Sequence, residues 1–168
     1  MPEPTTDKNI VELAGRNWLA SQLFRAGLEV ARPERDRGID LIAYIDMDRS
    51  GRFIACPIQI KAATGEVFSL FPKYEKFPDL LLVYVWNVEN SSETTCFALA
   101  YMEAYRIAET MGYTKTDSWL TGGRHQRRGY TTNKPSGRLR ELLAPYEMTQ
   151  ERWTHKLAQS SASAQAAG

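Results

Sequence analysis

Between residues 7 and 26, Ile10, Val11, Ala14, Trp18, Leu19, Leu23 and Phe24 recur every three or four positions, which predicts an amphipathic helix. Thr6 or Asp7 can cap its start, and Gly27 stands where a helix ends in the left-handed conformation. Residues 28–32 read as a short strand stopped by Pro33, followed by a charged loop at 34–38. Residues 39–47 and 52–62 are rich in β-branched and apolar side chains around Asp48-Arg49-Ser50-Gly51, the pattern of a β-hairpin. Pro57, inside the second of these strands, has no N–H to donate, so a bulge or an unpaired edge is expected there. Another short strand is expected at 66–70, a turn or short helix at 71–78, the most deeply buried strand at 80–88 and a further strand at 96–101. Helices are expected at 102–111 and 138–144, with a last one running from about 149 to 157. The region 114–135 between them has no regular period.

These elements make an α/β protein of 168 residues, a length that suits one domain and buries a core without disulfides or metal. The division expected is a loose arm at 1–6, a single domain at 7–157 and a disordered tail at 158–168. That tail is almost wholly Ala, Ser, Gln and Gly. The polar, acid-containing start is no secretory signal, and no apolar run reaches the roughly 18 residues of a membrane span. Cys56 and Cys96 stand singly among apolar residues, as reduced cytoplasmic thiols do. The expected location is therefore the cytoplasm.

The formal charge of +1 conceals an asymmetry. Residues 114–140 hold seven Lys and Arg against Asp117 alone, a local charge of +6 that leaves −5 for the rest. Arg124, Arg127, Arg128 and Lys134 in this segment, with Arg35 and Arg37 in the earlier loop, are candidates to meet a polyanion. Trp119 and Tyr130 could stack on bases or pack into the core.

Around the hairpin the pattern is interrupted by charge. Gln59 and Lys61 are two apart in an apolar strand, so they face one side together with Pro57, and Ile58 and Ile60 face the other. Polar groups so placed are costly unless partnered, and Asp40 on the adjoining strand can partner them. Glu12 on the first helix can complete the group, although Arg16 four residues on offers it an ordinary helix pair. Asp40 with Lys61 could equally be a structural ion pair. Carboxylate and amide oxygens suit Mg²⁺, and a neighbouring lysine suits a transition state that gathers negative charge.

The series Glu12, Asp36-Arg37-Gly38-Ile39-Asp40-Leu41 and Gln59-Ile60-Lys61 resembles the PD-(D/E)XK nuclease superfamily, and within it the Mrr-like branch with Q-x-K. The resemblance spans roughly residues 7–100. It implies a restriction-endonuclease-like α-β-β-β-α-β core with a mixed central sheet, helices on both faces and extra C-terminal helices. It further implies that Asp40, Gln59 and Glu12 hold Mg²⁺ or Mn²⁺, that Lys61 is the catalytic lysine, and that the substrate is DNA, as in bacterial defence systems. Gln59 departs from the usual acid and brings no charge to a metal. A non-catalytic domain of the same fold, binding nucleic acid or a protein partner or pairing with itself, is the alternative. A structural interaction domain without nucleic acid is a third.

Overall fold

The structure, a computed structural model, describes residues 7–35, 37–46, 51 and 53–166. The expected N-terminal arm, Asp36 and most of the hairpin turn lie outside the described residues. The chain builds a mixed five-stranded sheet with helices against both faces.

Helix α1 (Lys8–Arg25) starts at Asp7, whose carboxylate accepts the Asn9 N–H, and stops before Gly27 at φ +78°. Strands β1 (Glu29–Ala31), β2 (Leu41–Ile45) and β3 (Ile54–Ala62) follow as an antiparallel meander. The chain then crosses over to β5 (Leu81–Trp86), which pairs parallel to β3 and antiparallel to β6 (Thr95–Ala100). The strand order is β1-β2-β3-β5-β6. The crossover carries β4 (Phe68–Leu70) and a 3-10 turn at Pro72–Tyr74, as its residues predict, and not the helix that the resemblance implies. Pro72 and Pro78 bracket the segment and leave too few residues for a helix of useful length.

Side chains of β5 alternate between two cores. Leu81, Val83 and Val85 face α1 and a C-terminal helix, α5 (Arg152–Ala166), and Leu82, Tyr84 and Trp86 face the other side. That second side is covered by α2 (Tyr101–Thr110) and α4 (Gly137–Leu143). All six residues of β5 are buried, as its apolar sequence requires of a strand covered on both faces.

Pro57 forms no bulge. It pairs with Ile42 in unbroken register, and the β3–β5 ladder begins one residue later at Ile58, so its missing donor is not called upon. The irregularity falls at Asp40. Ile58 is in register with Leu41, yet the Asp40 N–H also donates to the Ile58 carbonyl at 2.8 Å. Two residues of one strand therefore face one of the other, which re-aims the first of them.

The basic region contains more order than its sequence predicts. Residues 117–120 form α3 (Asp117–Leu120), and β7 (Tyr130–Thr132) pairs antiparallel with β4 as a second, two-stranded sheet. The tail also differs from expectation: α5 continues to Ala166. Trp153 and Leu157 are buried and anchor it, the leucine contributing about 1.5–3 kcal/mol. Extension through alanine-rich sequence then costs little per residue. Among the described residues no helix is long and apolar enough to cross a membrane.

Candidate functional site

A polar cleft of about 220 Å³ opens beside β3 where β2 parts from it. Glu12, Arg16, Asp40, Gln59, Ile60, Lys61 and Ala62 line it. The four residues expected to converge from the helix and two strands therefore share one cavity. Their alternation is as expected: Ile58 and Ile60 turn toward the α1 core, and Gln59 and Lys61 pair in register with Leu82 and Tyr84, which face the other core. Glu12 reaches the cleft because α1 lies very close to the sheet. A Cβ placed on Gly15 would come within 2.4 Å of the Ala62 Cβ, so only glycine permits this approach.

Asp40 is held by β3. Its Oδ2 accepts the Ile60 N–H at 2.6 Å and the Gln59 Nε2 at 2.6 Å. A carboxylate can only accept, so the nitrogen end of the Gln59 amide is the end that faces it, and the amide carbonyl remains available. The Ile60 N–H lies beyond the end of the β2 ladder and takes its partner from the Asp40 side chain instead.

Lys61 does not form the structural ion pair that the sequence left open. Its Nζ donates to the Tyr74 hydroxyl at 2.9 Å and lies 5.0 Å from the Tyr74 ring centroid and 5.6 Å from that of Phe71. Burial holds its pKa below the ordinary lysine value. Asp40 and Glu12 oppose that shift, and Arg127 adds to it. Glu12 and Arg16 form no ion pair among the described residues, and the Arg16 Nε is buried without a hydrogen-bond partner.

The expected nucleic-acid contacts divide. Arg127 is exposed, its guanidinium 4.7 Å from the Phe71 ring centroid and close enough to Lys61 to lower its pKa. Arg128 donates its Nε–H to the Trp119 carbonyl at 3.1 Å, and Arg124 and Lys134 are exposed. Arg35 and Arg37 are exposed, and Arg37 lines a separate and larger cavity. Trp119 is buried against Tyr105, and Tyr130 stacks on Tyr113 at 3.9 Å, so both aromatics serve packing. Arg140 is taken up by Glu66 at 2.6 Å. The β4–β7 pair carries the basic segment to the cleft. Gly129 passes so close to Phe71 that a Cβ there would collide with the ring at 2.2 Å.

Arg16, which lines the cleft, and Tyr74 and Phe71, which hold Lys61 from behind it, are residues that the sequence reading did not assign. Tyr74 lies in a segment without periodicity, and no motif spacing points to it. The only sequence signal for Arg16 is its helical offset from Glu12.

Among the described residues no group of three or more His, Cys, Asp and Glu side chains is gathered to hold a metal ion. The oxygen donors at hand are the Glu12 and Asp40 carboxylates, the Gln59 amide carbonyl and the Ile60 carbonyl, which has only a 3.5 Å contact from Gln59 Nε2. All are hard donors, which fits a hard divalent cation that retains several waters.

No family model, curated protein or solved structure matches this chain.

Proposed function

We propose that this protein is a metal-dependent nuclease of restriction-endonuclease-like fold that hydrolyses DNA phosphodiester bonds. The observation that carries this reading is the meeting of Glu12, Asp40, Gln59 and Lys61 in one cleft, from a helix and two strands. The mixed sheet with its α-β-β-β start supports it. The missing helix in the crossover is where the chain departs from the implied core.

Glu12, Asp40 and the carbonyl oxygen of Gln59 are the groups that would hold Mg²⁺ or Mn²⁺. The ion would supply a water of lowered pKa and neutralise charge on the phosphate. Asp40 keeps its remaining oxygen directed by the two bonds that anchor the other. Lys61, partly desolvated and held by Tyr74, can accept a proton from the attacking water more readily than a solvated lysine. In its charged form it stabilises the developing negative charge. Arg127 and the exposed cations of 114–140 supply a positive approach for the backbone of the substrate.

The competing reading is a non-catalytic domain that binds nucleic acid or a partner. One observation favours it: the Asp40 Oδ2 is already engaged by two hydrogen-bond donors. Calorimetric titration with Mg²⁺ separates the two. The nuclease reading requires saturable binding, and cleavage of single-stranded, duplex or branched DNA that is lost in Lys61→Ala and Asp40→Asn while both variants melt as the wild type does. Cleavage persisting in both folded variants, or no Mg²⁺ binding at tens of millimolar, overturns it.

A further inference from the structure

Beyond Tyr74 lies a second cavity of about 430 Å³, within the range of about 300–1,000 Å³ that small ligands occupy. Its walls are largely apolar, with Ile39, Pro57, Phe77 and Leu80 among them, and Arg37, Lys73 and Lys76 on exposed positions around the mouth. Among the described residues Asp79 is the one acid in the lining, against three cations. Phe77 is 48% exposed, a large fraction for a phenylalanine, with the Lys76 ammonium 5.2 Å from its ring centroid. Such a cavity suits a ligand with a flat apolar body and an anionic edge.

Tyr74 joins this cavity to the cleft. Its hydroxyl accepts from Lys61 in the cleft, its ring lines the second cavity, and Lys73 lies 4.8 Å from the ring centroid. Gly38 makes a second link. It lines the cavity, and a Cβ on it would lie 3.7 Å from the Gln59 carbonyl oxygen. Tyr74 and Gly38 thus set the cavity next to the cleft residues Lys61 and Gln59.

We propose that this cavity binds one unpaired nucleotide of a DNA strand next to the phosphodiester held in the cleft. The base stacks on Phe77, and its phosphate is met by Lys73, Lys76 and Arg37. A duplex hides its base faces in the stack, so the ligand is a single strand or a frayed end. The adjacency rests on the nuclease reading of the cleft, but occupancy of the cavity needs no metal, and the two can fail separately.

The test is fluorescence anisotropy of the full chain in EDTA with a labelled 12-nucleotide DNA strand. The comparison ligands are the blunt duplex of the same sequence and a strand of equal charge carrying abasic sites. The intact strand is expected to bind more tightly than either. Phe77→Ala should weaken strand binding about 5- to 160-fold, as loss of one base–aromatic stack does, and leave the salt slope unchanged. Lys73→Ala with Lys76→Ala should flatten the salt slope by up to about 1.4. Equal affinity for the abasic strand, or an unaffected Phe77→Ala, means that charge alone binds and overturns the proposal. Binding of a labelled mononucleotide without any binding of the strand assigns the cavity to a mononucleotide and also overturns it. Because Phe77 is half-exposed, the variant is expected to melt as the wild type does. Should it unfold, Phe77→Leu retains the packing and removes the stack, and unchanged strand binding by that variant is equally decisive against the proposal. Loss of Mg²⁺-dependent cleavage with strand binding intact would count against the cleft and leave the cavity standing.

Discussion

The Gln59 amide nitrogen lies 2.6 Å from the Asp40 carboxylate and donates to it, and the same oxygen takes the Ile60 N–H. The neutral residue at position 59 therefore serves the acid as a donor, which a carboxylate at that position could not do.

Gln59→Glu puts two carboxylates in contact. Without divalent ions, it is expected to lose about 1–3 kcal/mol of stability at neutral pH, the cost of replacing a buried hydrogen bond by a repulsion. Mg²⁺ should return much of that loss, because a cation between the two oxygens replaces the missing donor and binds only the folded chain. Thermal melts with EDTA and with Mg²⁺ check this. A variant as stable as wild type that ignores the ion would show that the cluster has no use for a cation.

Asp40 has a structural role alongside the proposed chemical one, and two substitutions separate them. Asp40→Asn keeps an oxygen for the Ile60 N–H and should leave urea denaturation nearly unchanged while cleavage disappears. Asp40→Ala leaves that N–H and the Gln59 amide without their acceptor and should cost about 1–3 kcal/mol. Equal stability of the two variants would mean that water replaces the carboxylate at no cost.

Gly15→Ala is expected to destabilise the protein, against the usual gain for alanine inside a helix. The propensity gain is about 1 kcal/mol, whereas forcing a methyl against a packed strand costs about 1–3 kcal/mol. The contact at 2.4 Å decides the sign. Ala62→Gly in the same chain should restore part of the loss, and a double-mutant cycle by denaturation measures the coupling. Because Glu12 is one turn earlier on the same helix, any cleavage should fall along with stability in the single variant.

Burial depresses the Lys61 pKa below its ordinary 10.5, with Asp40 opposing, Arg127 reinforcing and Glu12 opposing. Between the folded value and 10.5 the unfolded chain binds more protons than the folded one, so stability rises with pH across that window. Lys61→Met should abolish this rise, as denaturation measured through the alkaline range will show. Arg127→Gln removes a cation that disfavours the charged lysine and should move whichever limb of a cleavage profile Lys61 sets to higher pH: the rising limb where its neutral form accepts the proton, the falling limb where its charged form serves. A profile that does not move would show that Lys61 titration does not set the rate.

How much of this was legible beforehand follows from the range of each interaction. Helix α1 and strands β2, β3 and β5 announce themselves because their periodicity is set by burial of their own side chains. The Asp40, Gln59 and Lys61 grouping follows from alternation along β3 and the meander that brings β2 beside it. The residues of the crossover read as a short strand and a turn, and they form both, since they contain two prolines and no repeat; the helix there came only from the order of elements that the resemblance implies. The C-terminal helix was cut short because low apolar content was read as disorder, whereas Trp153 and Leu157 nucleate a helix that alanine then extends. Tyr74 could not be found at all. Its hydroxyl meets Lys61 only through the fold of an irregular segment thirteen residues away. The offset at Asp40 was likewise placed at Pro57, since a proline is visible in sequence and a shared carbonyl is not.

The sheet does not protect its amides evenly. Gln59 and Lys61 are paired to β5, a strand buried along all six residues and flanked by strands on both sides. Asp40 stands at the start of β2, whose outer neighbour is the three-residue edge strand β1. Hydrogen exchange should thus find the lysine side of the cluster in the slowest-opening part of the molecule and the aspartate side in a part that unzips by itself. The cluster can come apart while the sheet stays folded, and the step that assembles it is the return of Asp40 to a lysine that never left.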